Sequence, residues 1–331
     1  MDVNGMNIQF ISRNIKAGFS FAKVFNPIIN FVAKNNNVMN FEVPEYRNMP
    51  WHSLKNIWFV HSHVKKGYIH HVTGMPELAI GVWKCNTVLT FHDINFMNNT
   101  RNPIARYYKY LLRLYLPIKA ANKITCISEF TKQEILKYVG VDIKVIHNPI
   151  DSAFTYVPKA FNAEKPRILH IGTGWNKNLG NTIMALKDIP CHLRIIGKIS
   201  DEFKDMLENY HIDYSNGYRL TDEQILEEYH NCDIVNFPSI YEGFGMPVIE
   251  GQAIGRVVIT SRIEPLIEIS GNAVEYVVPD DVNNMREAYL HVINDSVYRQ
   301  SLIRKGLENV KRFNIKNICD QYMQVYNELS K

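Results

Sequence analysis

Short apolar runs alternate with longer stretches of helical spacing along most of this chain. Apolar runs bounded by glycine, proline or polar residues predict buried strands, and apolar residues three or four apart predict amphipathic helices. The runs predicted as strands are 7–12, 57–60, 87–91, 123–128, 143–146, 167–171, 192–196, 234–237, a run that follows Gly255, and 274–278.

Helical patterns lie between these strands in both halves of the chain. They cover 21–32, 103–120 with a break near Pro117, 129–138, 179–186, 222–230 and about 314–329. Strands that alternate with helices are typical of doubly wound α/β domains. The pattern therefore predicts an α/β protein with two such domains.

One stretch, 233–260, combines a strand, a glycine-containing loop at 241–245, a helix and a second strand. The helix places Met246, Ile249, Ala253 and Ile254 on one face. A helix that starts after such a loop directs backbone N–H groups and its positive dipole end toward an anionic or hydroxyl-rich ligand. Two carboxylates, Glu242 in the loop and Glu250 in the helix, can face one crevice outside the strand ends. The alternative is a helix start with two solvated glutamates.

The segment 238–250 reads P-S-x-x-E-G-F-G-x-P-x-x-E. It resembles the signature of retaining glycosyltransferases of the GT-B fold, of the group 1 or family 4 type, whose two glutamates are separated by seven residues. The resemblance implies two facing Rossmann-like domains with a cleft between them. Residues 1–149 would bind the acceptor, 150–313 the nucleotide-sugar, and the helix within 314–331 would cross back to the first domain.

The resemblance also implies roles for individual residues. Glu250 would bind the ribose hydroxyls and Glu242 the sugar, while His92, at the end of a strand, would face the donor. Taken alone, a histidine at such a position more often has a structural role. The diphosphate and the base would be held by Gly172, Thr173, Gly174, Lys177, Tyr218, Arg219, Gly243, Phe244 and Gly245, and an acceptor or phosphate loop would include Gly18 and Phe19.

The implied activity is the metal-independent, retaining transfer of a hexose from a nucleotide-diphosphate sugar to a glycan or lipid-linked acceptor, in surface polysaccharide biosynthesis. We expect no cofactor beyond the donor and no bound metal, because the sequence has no Asp-x-Asp motif. Two alternatives remain open: a GT-B nucleotide-sugar hydrolase or epimerase, and a non-catalytic nucleotide-sugar-binding protein.

Histidines cluster after the run 57–60, at His61, His63, His70 and His71. No carboxylate or cysteine completes a metal-ligand set at the usual spacing, so we interpret them as solvated or hydrogen-bonded side chains.

Composition agrees with a soluble protein. The hydrophobic content is 46% and the charged content 21%, both ordinary values, and no run approaches the roughly 20 apolar residues that span a bilayer. Five scattered cysteines indicate reduced thiols and a cytoplasmic location.

Charge is distributed unevenly. Residues 1–150 hold 18 Lys+Arg and 8 Asp+Glu, or 18 − 8 = +10, and the remainder holds 19 − 25 = −6. A basic half fits an anionic partner, and nucleic acid is disfavoured because no recognised binding module is present. In the helix 103–120, Arg106, Lys109 and Arg113 recur at helical spacing. They predict peripheral contact with the anionic inner face of a membrane, unless they form a solvated domain surface.

Overall fold

The computed structural model describes residues 5–17, 20–47 and 49–330, which form two compact units. Unit 1 consists of the chain up to Asp151 together with the chain from Phe313 onward, and unit 2 is Ser152–Arg312. The boundaries predicted from the sequence fall after residue 149 and after residue 313. None of the helices in the described part of the chain is both long and apolar enough to cross a membrane.

Unit 1 contains a parallel sheet of six strands in the order β2-β1-β3-β4-β5-β6. Its strands are β1 (Asn7–Ser12), β2 (Asn37–Glu42), β3 (Ile69–Val72), β4 (Thr87–Phe91), β5 (Lys123–Cys126) and β6 (Ile143–Val145). The chain passes from β1 to β2 on one side and then to β3 on the other. The carboxyl ends of β1 and β3 therefore flank a topological switch point, where such sheets bind ligands.

The helices of unit 1 that precede residue 152 pack around this sheet. They are α1 (Ser20–Val32), α2 (Pro50–Ser62), α3 (Asn95–Asn98), α4 (Pro103–Tyr110), α5 (Leu116–Ala120) and α6 (Glu129–Leu136).

The strand predicted at 57–60 is wrong, because this run lies inside α2. Pro50 starts the helix at a position where the missing N–H costs nothing. Ser53, Asn56 and Val60 are buried at helical spacing, whereas Trp58 is 72% exposed. A run of four apolar residues cannot by itself distinguish a strand from one turn of a helix.

The helical stretch 103–120 is interrupted before Pro117 rather than at it. Leu111–Tyr115 forms a π-turn in which the Leu116 amide donates to the Leu111 carbonyl, and α5 then continues to Ala120. The widened turn precedes the proline, so Pro117 lies in the first turn of a new helical segment and removes no interior hydrogen bond.

Unit 2 contains a second parallel six-stranded sheet, in the order β12-β11-β10-β7-β8-β9. Its strands are β7 (Arg167–Ile171), β8 (His192–Ile196), β9 (Tyr214–Gly217), β10 (Ile234–Phe237), β11 (Val257–Ser261) and β12 (Glu275–Val277). The register places Ile234 beside Ile168 and beside Val257. The switch point lies between β7 and β10, since the chain leaves β7 in one direction and β10 in the other.

The helices of unit 2 cover both faces of this sheet. They are α7 (Leu179–Leu186), α8 (Asp201–Asn209), α9 (Asp222–Asn231), α10 (Met246–Ile254), α11 (Leu266–Ser270), α12 (Val282–Asn294) and α13 (Ser296–Asn309). Ile168 and Leu169 lie in different hydrophobic clusters, as expected for successive residues of a strand that is buried on both faces. Helix α10 is buried beyond its predicted face, because Val248 and Gln252 are also inaccessible.

The last helix, α14 (Ile315–Leu329), belongs to unit 1. It buries Ile318, Cys319, Tyr322, Val325 and Tyr326 in the same cluster as residues of α1 and β1. The Tyr326 hydroxyl lies 2.7 Å from Nδ1 of His71, and Nε2 of His71 lies 2.7 Å from the Thr90 hydroxyl. A buried histidine on β3 therefore connects the final helix to the sheet.

Candidate active site

Two loops meet at the switch point of unit 2, at the carboxyl ends of β7 and β10. The amide of Ile240 donates to the carbonyl of Asn176 over 2.9 Å, and Nδ2 of Asn176 donates to the carbonyl of Tyr241 over 3.0 Å. These bonds hold the loop that carries Lys177 against the loop that carries Glu242.

Lys177 and Glu242 form an ion pair in which Nζ lies 2.5 Å from Oε1. The lysine ammonium also lies 4.4 Å from the centroid of the Phe237 ring, within the range of a cation–π interaction. The two side chains are only 22% and 13% exposed. Water therefore screens the pair less than a surface ion pair, and Glu242 is not a solvated surface glutamate.

Gly172 allows the Lys177 side chain to fold over the first loop. Its φ is +93°, and a Cβ at this position would lie 2.9 Å from Cγ of Lys177. Next to it, the Thr173 hydroxyl donates to the Lys198 carbonyl over 2.7 Å, and the Lys177 amide donates to the Gly174 carbonyl over 2.9 Å. The predicted diphosphate residues of this loop are thus held in one compact turn.

Helix α10 begins directly after the second loop. Gly245, its N-cap residue, has a φ of +103°, and a Cβ there would lie 2.4 Å from Cδ2 of Leu266. Gly245 has no side chain that could cap the helix. The positive end of the helix dipole follows Gly243 and Phe244, and such an end favours an anionic ligand.

Glu250 lies one turn into α10 and is held by α9. Its Oε2 accepts a hydrogen bond from the hydroxyl of Tyr229, which is fully buried. Burial, and then the charge of Glu250, raise the pKa of Tyr229 well above its usual value. The phenol therefore remains a neutral donor that orients the carboxylate.

Tyr218 and Arg219 follow β9, at the edge of the same sheet. Tyr218 is 52% exposed, and the Arg219 guanidinium lies 5.2 Å from the centroid of its ring. Because β9 is two strands from β7, the two loops are separated by roughly 10 Å at the spacing of neighbouring strands. A ligand that contacts Lys177 and Tyr218 together would therefore need about the length of a nucleotide.

In unit 1, His92 follows β4 and donates through Nε2 to the Thr73 carbonyl over 3.0 Å. Burial is the main cause that lowers its pKa to about 4, and the charge of Arg13 lowers it further. His92 is therefore neutral near pH 7. Its neighbour Asp93 accepts from the Asn95 amide over 2.9 Å, which is the turn-capping role, and burial raises the pKa of this carboxyl group.

His92 and Asp93 line a cavity of about 250 Å³ that also includes Arg13, Glu77 and Arg113. It lies at the carboxyl ends of β1, β3 and β4, next to the switch point of unit 1. The sequence predicts a site role for His92, but Arg13 and Glu77 were not predicted. The position of Arg13 directly after β1 was the available signal. Gly18 and Phe19 lie outside the described residues.

The three cations of the predicted membrane contact, Arg106, Lys109 and Arg113, do not share one solvent-facing surface. Arg106 donates to the hydroxyl of Tyr138 over 3.1 Å, and Lys109 donates to the hydroxyl of Thr100 over 2.7 Å. Arg113 is only 14% exposed and lies 3.5 Å from the buried carboxylate of Glu77. Its positive charge is therefore compensated within the protein.

The clustered histidines separate in the fold. His70 and His71 are buried in β3, whereas Nδ1 of His63 lies 2.8 Å from the Phe59 carbonyl at the end of α2. Over residues 5–17, 20–47 and 49–330, no three His, Cys, Asp or Glu side chains are grouped as a metal site would require.

Two parts of the chain match known protein families. Residues 156–309 match the family described as "Glycosyl transferases group 1", and residues 35–154 match "Glycosyltransferase Family 4".

Two curated relatives and one solved structure show how far the similarity extends. O-antigen chain mannosyltransferase B of Escherichia coli is 23% identical over 302 residues, which cover 83% of this chain and 77% of that protein. O-antigen chain mannosyltransferase RfbU of Salmonella typhimurium is 25% identical over 258 residues, covering 69% and 67%. Sucrose-phosphate synthase from Thermosynechococcus elongatus superposes with a TM-score of 0.80 at 18% identity, over 98% of this chain and 99% of that one. With its two parallel α/β units, the chain is a glycosyltransferase of the group 1 / family 4 type with the GT-B fold.

Proposed function

We propose that the protein is a retaining, metal-independent hexosyltransferase that uses a nucleotide-diphosphate sugar to extend a surface polysaccharide. The observation that carries this proposal is the Lys177–Glu242 pair, which lies at a sheet switch point, in the loops that precede α7 and α10. Both curated relatives are named as O-antigen chain mannosyltransferases, which supports mannose as the first sugar to test.

The donor would be held along the strand ends of unit 2. Glu250, oriented by Tyr229, would accept hydrogen bonds from the ribose hydroxyls, and Tyr218 or Arg219 would contact the base. When the donor binds, the Lys177 ammonium would leave Glu242 and form an ion pair with the diphosphate, because an anion with two phosphates attracts the ammonium more strongly than one carboxylate. Glu242 would then be released to bind a hydroxyl of the sugar.

The chemical step would break the bond between the anomeric carbon and the diphosphate oxygen, and would form a bond from that carbon to the acceptor oxygen. Negative charge develops on the departing diphosphate, where Lys177 and the α10 dipole stabilise it. The leaving phosphate oxygen would accept the proton of the acceptor hydroxyl, on the same face of the sugar, so that configuration is retained. Lys177 would supply the positive charge that a metal ion supplies to the diphosphate in metal-dependent enzymes.

The acceptor would bind in the cavity of unit 1 lined by Arg13, Glu77, His92 and Asp93. Guanidinium, imidazole and carboxylate groups in one cavity offer both donors and acceptors to a glycan hydroxyl. A glycan and a lipid-linked glycan both fit this chemistry.

A panel of nucleotide-sugars that includes GDP-mannose and UDP-glucose tests the proposal, with Lys177→Ala compared to Lys305→Ala on α13. We expect transfer from one donor, retention of anomeric configuration by NMR, and loss of transfer in Lys177→Ala alone. Free sugar without acceptor product would favour a hydrolase, and a changed sugar would favour an epimerase. Binding without turnover would favour a non-catalytic protein.

A further inference from the structure

A second cavity of about 250 Å³ lies beside the polar cavity of unit 1, between α2 and α4. Its walls are mainly apolar, with Leu54 and Ile57 from α2 facing Tyr108 from α4 and Leu112 from the π-turn. We call this cavity the α2–α4 groove. Glu77 and Arg113 line both the groove and the polar cavity, so the two cavities are neighbours across a shared wall.

The two helices that form the α2–α4 groove expose several large apolar side chains. On α2, Trp51, Leu54 and Trp58 are 54%, 59% and 72% exposed, and on α4, Ile104 and Tyr107 are 81% and 65% exposed. Soluble monomers rarely present large apolar side chains in such a group, and such patches mark interaction sites. Tryptophan and tyrosine are also the residues that concentrate where hydrocarbon meets headgroups.

The charges at the groove complement an anionic lipid. Neither α2 nor α4 contains an aspartate or a glutamate. Lys109 lines the groove, and Arg113 and Glu77 line the wall that the groove shares with the polar cavity. The Glu77 carboxylate, which accepts from the Ser53 hydroxyl over 3.0 Å, compensates the charge of Arg113. The three side chains therefore have a net charge of 2 − 1 = +1, which suits a phosphate that joins a hydrocarbon chain to a sugar.

We propose that the α2–α4 groove binds the hydrocarbon chain of a lipid-linked acceptor, whose phosphate lies at Lys109 and Arg113 and whose sugar occupies the polar cavity. This inference rests on the proposed function and narrows its acceptor to an amphipathic lipid. The exposed apolar side chains of α2 and α4 lie against the bilayer that carries the acceptor. Membrane contact is thus assigned to the apolar residues of α2 and α4, rather than to a row of three exposed cations.

Calorimetry with decyl phosphate, below its critical micelle concentration, tests the groove directly. We expect decyl phosphate to bind the wild type at least tenfold more tightly than inorganic phosphate, since only the former has a chain. Leu54→Glu should weaken decyl phosphate binding at least tenfold, and Leu54→Met should retain it. The matched control is Val297→Glu on α13, because Val297 is also an exposed apolar residue, at 77%.

A second arm distinguishes a bilayer from a free amphiphile. Vesicles of phosphatidylglycerol and phosphatidylcholine should co-sediment with the wild type and with Val297→Glu, and less with Ile104→Glu. Equal decyl phosphate binding by wild type and Leu54→Glu would overturn the inference. So would self-association of the wild type in vesicle-free solution that Ile104→Glu abolishes, because a second copy would then cover the surface.

Assays of sugar transfer distinguish a failure of the lipid groove from a failure of the proposed function. Leu54→Glu should raise KM for a lipid-linked acceptor at least tenfold and leave donor affinity and transfer to a water-soluble acceptor unchanged. Absence of sugar transfer by the wild type from every donor would refute the proposed function. Intact transfer with equal KM in both proteins would refute the lipid groove alone.

Discussion

Replacing Glu250 by alanine should weaken nucleotide binding and, separately, destabilise the fold. The carboxylate is the predicted partner of the ribose hydroxyls, and it is also the acceptor for the buried hydroxyl of Tyr229. A single substitution therefore removes two hydrogen bonds that serve different purposes. Any loss of affinity in Glu250→Ala must be separated from a loss of folded protein.

The two magnitudes can be worked out from the contacts. A hydrogen bond to a charged group contributes about 1.5–3 kcal/mol, so the dissociation constant for the nucleoside diphosphate should rise roughly 10- to 150-fold. The Tyr229 hydroxyl, which is 0% exposed, would lose its acceptor. An orphaned buried polar group lowers the free energy of unfolding by about 1–3 kcal/mol.

The double variant Tyr229→Phe/Glu250→Ala separates these effects. Removing both partners of a buried hydrogen bond can be nearly neutral for stability, so the double variant should recover most of the lost stability but not the nucleotide affinity. Calorimetry with GDP and UDP gives the affinity, denaturant unfolding gives the stability, and Glu227→Ala on the exposed side of α9 is the control. Unchanged nucleotide affinity in Glu250→Ala would refute the ribose assignment.

The remaining predictions concern turnover, metal and pH. Glu242→Ala should lower kcat far more than donor affinity, because the sugar contact is lost while Lys177 stays available to the diphosphate; an equal fall in both would contradict the sugar role. Activity should persist in excess chelator, since Lys177 supplies the charge, and complete loss that magnesium restores would refute this. Burial lowers the pKa of His71 from 6.5 to about 3, so the unfolded state binds more protons below pH 6.5 and stability falls as pH drops. Burial also lowers the pKa of His70, His92 and His170, so His71→Gln should make the fall in unfolding free energy between pH 6.5 and 5.5 less steep without abolishing it. An unchanged slope would count against His71 as one of its sources.

Most strands could be predicted from the sequence because they are buried on both faces. Runs such as 167–171 and 234–237 are mainly apolar, so the local composition indicates that the sheet is buried on both faces. The glycines of the signature at 238–250 are also informative locally, because they indicate the backbone geometry of the loop. A φ of +103° at Gly245 is tolerated by few other residues, so the loop geometry can be read from residue types alone.

Where a sequence pattern is short, only tertiary packing decided the outcome. The run 57–60 fits a strand as well as a helix, and its place in α2 follows from which side chains the neighbouring elements bury. The strand β9 is polar enough to escape a hydropathy pattern, and its pairing with β8 defines it.

The site shows the same division between local and long-range information. Glu242 and Glu250 are visible in the sequence as a spaced pair. Their partners Lys177 and Tyr229 are 65 and 21 residues away, and sheet order brings them together. The spacing along 103–120 groups Arg113 with Arg106 and Lys109 on one predicted helix face. In the structure, however, Arg113 is mostly buried and pairs with the buried carboxylate of Glu77. The apolar groove between α2 and α4 arises from two segments that are about 50 residues apart in the sequence, and long-range packing of this kind has no local signature.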